Sequence, residues 1–85
     1  MTPDEVLAVI QSAVATVLEV EPATVTRELY FVQDLQADSL ALVEIVEILE
    51  AQLTRLVRPG FAIDDEDLDG LRTVGDALDY ALGRL

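Results

Sequence analysis

The chain has 85 residues, room for one small domain over 1–85 and little more, and at 52% hydrophobic residues it should pack a thin core. It has no cysteine and no histidine, which excludes disulfides, thiolate nucleophiles, imidazole bases and zinc sites of the usual kind. Five arginines (Arg27, Arg55, Arg58, Arg72 and Arg84) stand against 17 acidic residues, a net charge of −12 that repels nucleic acid and anionic lipid and suits partners with basic patches.

The first helix is signalled by Thr2-Pro3-Asp4-Glu5: a capping threonine, a proline at the first helical position and a glutamate three residues after the cap. Val6, Leu7, Ile10, Val14, Val17 and Leu18 then recur at a 3–4 spacing that makes one buried stripe. Glu21-Pro22 should end the helix, because a residue before proline is pushed out of helical geometry. A loop from about 20 to 37 follows. Its Val25, Leu29, Phe31 and Leu35 predict that it lies on the core.

The second helix is expected from Ser39 to about Val57, stopped by Pro59-Gly60. At 100° per residue, Leu42, Ile45, Val46, Leu49, Leu53 and Leu56 fall on one side, predicted to face the core. Leu40, Val43, Glu44, Glu47 and Ala51 fall on the other, a mixture of apolar groups and carboxylates that begins beside Ser39. Either Asp38 or Ser39 can cap this helix.

An acidic segment from Asp64 to Gly70 follows, read as one helical turn or two with Leu68 and Leu71 facing inward. The last helix opens at Thr73 with Asp76 three residues on, a second capping box. Val74, Ala77, Leu78, Ala81, Leu82 and Leu85 supply its predicted buried stripe. The expected fold is all-α: a small bundle of three principal helices plus a short third helix.

Ser39 has two readings: a residue at a helix start, or a site of chemistry. A catalytic serine is disfavoured, since neither histidine nor lysine is available to take its proton. That leaves a serine modified by another enzyme, and the expectation that the chain is not itself an enzyme.

The stretch "DLQADSL" (34–40) resembles the modification motif of the acyl carrier proteins, Asp-Leu-Gly-Ala-Asp-Ser-Leu. "ALVEIVEILE" after it is similar to their second helix, and "FAIDDEDLDGLRTVGDALDYAL" (61–82) to their third and final helices. The resemblance covers essentially the whole chain in order and implies an acyl-carrier-like four-helix bundle. It implies that Ser39 receives a 4′-phosphopantetheine arm from coenzyme A through a separate phosphopantetheinyl transferase. The arm's thiol would hold acyl groups as thioesters and present them to an acyltransferase, ketosynthase or other acyl-processing enzyme of fatty-acid or polyketide-type biosynthesis.

By the same resemblance Asp38 and Leu40 flank the modified serine, while Val43, Glu44 and Glu47 lie on the face shown to partners. Three departures stand out: Gln36 in place of the usual glycine, Ala41 in place of a common aspartate, and a longer connection in "AQLTRLVRPGFAI". They open a specialised pathway beside fatty-acid synthesis.

Two other readings compete. Asp65, Asp67 and Asp69 alternate before Gly70, with Asp76 at the twelfth position, as in a calcium-binding loop. Against it, Asp76 is shorter than the usual glutamate, and Arg72 brings positive charge towards the ion. The third reading is an unmodified acidic interaction domain. No apolar run reaches roughly eighteen residues and no basic-then-apolar leader opens the chain, so a cytoplasmic protein is expected; the capped helix directly after Met1 suggests a free-standing one, expected to be a monomer.

Overall fold

The computed structural model describes residues 2–85. Three α-helices carry the bundle: α1 (Pro3–Leu18), α2 (Ser39–Leu56) and α3 (Val74–Arg84). Two 3₁₀ segments, Pro22–Thr24 and Asp65–Gly70, lie in the connections. The short third helix is thus present as a 3₁₀ helix, the form that short, poorly supported helical pieces take.

Local chemistry explains the boundaries. Thr2 caps α1 with a complete capping box, its hydroxyl accepting the Glu5 N–H while the Glu5 carboxylate accepts the Thr2 N–H. That helix ends earlier than Glu21-Pro22 suggests, because Glu19 turns into the left-handed region at φ 56. Thr73 and Asp76 form a second capping box at α3, as the sequence predicts. At the end of α2 the chain reverses through Gly60, whose φ of 79 suits a residue without a Cβ.

Val6, Ile10 and Val14 of α1, Ile45, Leu49 and Leu53 of α2, and Val74, Leu78 and Ala81 of α3 meet in one core. The loop after α1 contributes Val25, Phe31 and Ala37, so it does lie on the core. Leu56 and Leu85 do not join: they are 50% and 38% exposed, contrary to their stripes. Both are the terminal residues of their stripes, and helical spacing sets a side chain's direction without placing a neighbour there. Leu7, Val17, Leu18, Leu42, Val46 and Leu82 are only half-buried.

The long connection after α2 is stapled down. Thr54 Oγ1 donates to the Phe61 carbonyl (3.1 Å), and the Ile63 N–H donates to a Glu50 carboxylate oxygen (2.7 Å). Between these ties Phe61 and Ile63 are buried, adding two core residues from a segment without helical periodicity.

Candidate functional site

The segment before α2 is a tight, helix-like turn. The Asp34 and Leu35 N–H groups donate to the Tyr30 carbonyl, Gln36 to Val32, and Ala37 to Phe31 at 2.8 Å. Gln36 adopts φ 58, the left-handed conformation that glycine takes most easily. The departure at position 36 therefore falls on a backbone position with a real demand for glycine.

This turn is clamped to the start of α3. Phe31 N–H donates to the Arg72 carbonyl, Val74 N–H to Leu29 and Gly75 N–H to Arg27, and Tyr30 pairs with Thr73 in an isolated antiparallel bridge. Gly75 eases the approach, since a Cβ there would lie 3.1 Å from the Arg27 carbonyl oxygen, a tighter contact than is usual. Hence the chain ahead of Ser39 is held from both sides.

Asp38 is the residue that caps α2: its Oδ1 accepts the Ala41 N–H at 2.8 Å and its carbonyl accepts Leu42 at 2.9 Å. Ser39 is the first helical residue, exposed, with its hydroxyl free of the capping role. Leu40 is 68% exposed and Val43 43% exposed. Glu44, Glu47 and Ala51 are exposed as well, and the 40, 43, 44, 47 spacing sets the first two of these on one helical face with Leu40 and Val43. Glu50 differs. It is half-buried and committed to the Ile63 N–H, so it is a structural tie.

Behind Ser39 lies a cavity of about 190 Å³ whose lining includes Phe31, Leu42, Val46, Leu49, Leu68 and Leu71 together with Ser39 itself. The sequence reading missed this cavity. The half-buried state of Leu42 and Val46 is its signature: they form walls of a space left open. Phe31 was the available signal, a large aromatic in a loop that had to cover something.

Two of the four carboxylates of the calcium-loop reading, Asp67 and Asp76, are engaged elsewhere. Asp76 Oδ2 accepts the Arg72 and Thr73 N–H groups, while Asp67 Oδ2 accepts from the Tyr80 hydroxyl at 2.7 Å and from Arg84 at 3.1 Å. Among the described residues no group of three or more acids is disposed to hold a metal ion, and the calcium reading finds no support.

The residues present fit a phosphodiester-linked arm. The hydroxyl of Ser39 is exposed at the amino end of an eighteen-residue helix. The first N–H groups there have no intrahelical partner and carry the positive end of the dipole. A mostly apolar cavity opens beside it.

A helical bundle with an exposed serine at a helix start and an apolar cavity beside it is an arrangement suited to carrying a covalently attached group. Residues 8–81 match the family described as "Phosphopantetheine attachment site". A meromycolate extension acyl carrier protein of Mycobacterium leprae is 42% identical over 94% of this chain, and the chain spans 64% of that relative's length. An acyl carrier protein of Rhodococcus erythropolis is 42% identical over 93% of this chain and 80% of its own length. Among solved structures, an acyl carrier protein from Enterococcus faecalis superposes with a TM-score of 0.76 at 34% identity, covering 100% of both chains. The chain belongs to the acyl carrier proteins, whose prosthetic group is 4′-phosphopantetheine. No helix among the described residues is long and apolar enough to cross a membrane.

Proposed function

We propose that the protein carries acyl groups as thioesters on a 4′-phosphopantetheine arm attached to Ser39 and presents them to partner enzymes. The observation that carries this reading is the position of Ser39. It is exposed at the first turn of α2, relieved of capping by Asp38, and it borders the apolar cavity.

In this reading the chain performs no bond chemistry. The transferase joins the serine oxygen to the phosphate of the arm, and the arm's thiol supplies the thioester chemistry. The chain's own residues bind and orient. The amino end of α2 offers its N–H groups and dipole to the phosphodiester. Leu40, Val43, Glu44 and Glu47 offer an apolar strip edged with carboxylates to partners with basic rims. The cavity offers an acyl chain about 0.8 kcal/mol for each methylene it takes out of water.

The relatives include carriers named for meromycolate extension as well as plain acyl carrier proteins, and both fatty-acid and specialised acyl chemistry fit the site. Incubation of the protein with coenzyme A and a promiscuous phosphopantetheinyl transferase, followed by intact mass measurement, tests the reading. One arm should be added, and none to Ser39→Ala.

A further inference from the structure

One wall of the cavity is held differently from the others. Leu68, Asp69 and Leu71 form it, on or just after the 3₁₀ helix Asp65–Gly70. That helix has no fully buried residue, and Leu68 and Leu71 are only half-buried. Its two ends are fixed by hydrogen bonds: the Ile63 N–H donates to the Glu50 carboxylate on one side, and the Phe31 N–H to the Arg72 carbonyl on the other.

Between these fixed ends Leu68 and Leu71 rest on the core, and the polar ties converge on α3. The Tyr80 hydroxyl donates to Asp67 at 2.7 Å and accepts the Asp64 N–H at 3.3 Å. Arg84 Nη2 donates to Asp64 at 2.9 Å and Asp67 at 3.1 Å, and its guanidinium stacks 4.7 Å over the Tyr80 ring. Arg58 donates to the Arg84 carbonyl at 2.6 Å and steadies the end of α3. The ion pairs are 40–58% exposed at their side chains, so water competes for them and each is weak. A segment hinged at both ends and held between them by weak, cooperating bonds opens locally before the core does.

We propose that Tyr80 and Arg84 are positioning residues for the acyl chain: through Asp64 and Asp67 they latch the 3₁₀ helix as a lid over the cavity, and release of the latch lets the chain in or out. The proposal rests on the carrier reading for its occupant, but the latch belongs to the unmodified protein too. Neither residue lines the cavity, so each acts only through the lid.

The test loads the protein from octanoyl-coenzyme A, and separately from acetyl-coenzyme A, with a promiscuous transferase, and times thioester cleavage by neutral hydroxylamine. In the intact protein the octanoyl thioester should be cleaved more slowly than the acetyl one. Tyr80→Phe and Arg84→Gln each remove two bonds to the lid and, because such exposed ties are weak, should each speed octanoyl cleavage by about fivefold and leave acetyl cleavage unchanged. Arg84→Lys should fall between, and Arg27→Gln, which breaks the Arg27–Asp79 pair, should change neither.

Amide exchange on the unmodified protein gives a second reading. The Asp67 and Leu71 N–H groups, bonded within the lid, should exchange faster in Tyr80→Phe and Arg84→Gln while core amides of α1 do not. Equal acceleration of both thioesters, equal rates in the intact protein, or unchanged exchange would each overturn the latch. A protein that accepts no arm would defeat the carrier reading instead, and the exchange result would then decide the latch alone.

Discussion

Asp38 and Ser39 divide between them two tasks that neighbouring residues could have shared. Oδ1 of Asp38 closes the cap on the Ala41 N–H at 2.8 Å, and Ser39 is left as an exposed first helical residue with no structural duty for its hydroxyl. Asp38→Ala should therefore cost about 1 kcal/mol of unfolding free energy. Ser39→Ala should change it by less than about 0.5 kcal/mol. Urea denaturation of the two variants checks the division; a larger loss for Ser39→Ala would mean that the serine is part of the cap.

Gln36 tests the left-handed turn before the serine. A non-glycine residue at φ 58 carries strain of order 1–3 kcal/mol, partly offset by the greater freedom that glycine has in the unfolded chain. Gln36→Gly should raise stability by about 0.5–1 kcal/mol, whereas Gln36→Ala should not. Thermal unfolding of both variants distinguishes relief of strain from loss of the side chain.

Three glutamates of α2 should behave differently. Glu50→Ala leaves the part-buried Ile63 N–H without its acceptor and should cost about 1–2 kcal/mol. Glu44→Lys and Glu47→Lys should leave stability nearly unchanged. They should lower kcat/KM for the phosphopantetheinyl transferase by about fivefold at low salt and less at high salt. Unchanged kinetics at both salt levels would make the Glu44–Glu47 face a merely solvated one.

The Tyr80 phenol has a predictable titration. Burial first, and then its hydrogen bond to the Asp67 carboxylate, raise it above its ordinary value of 10.0. A group whose folded value is raised contributes stability that is complete below the unfolded value and lost as pH climbs through the folded one, so this effect acts only in strong alkali. In a Tyr30→Phe background, Asp67→Asn should lower the midpoint of phenolate absorbance. An unmoved midpoint would remove Asp67 as a cause.

The caps and the apolar stripes were readable because each is a local matter of three to seven residues. Thr2, Thr73 and Ser39 mark helix starts within a residue of those observed. Leu56 and Leu85 were misread because burial depends on a neighbour arriving from elsewhere in the chain. Phe61 and Ile63 were unreadable for the converse reason: they have no period and are buried by the ties from Thr54 and Glu50. The serine was legible from its motif, but the cavity behind it arises from Phe31, Leu49 and the Leu68–Leu71 pair, three places far apart in sequence. Choice of cap between Asp38 and Ser39 needed the geometry.

The central claim is that Ser39 bears the arm, and intact mass measurement after reaction with coenzyme A and a promiscuous transferase tests it most directly. The account predicts a single added phosphopantetheine that maps to Ser39 and is absent from a folded Ser39→Ala variant. No gain under conditions that modify a control carrier, or a gain that persists in Ser39→Ala, would contradict it.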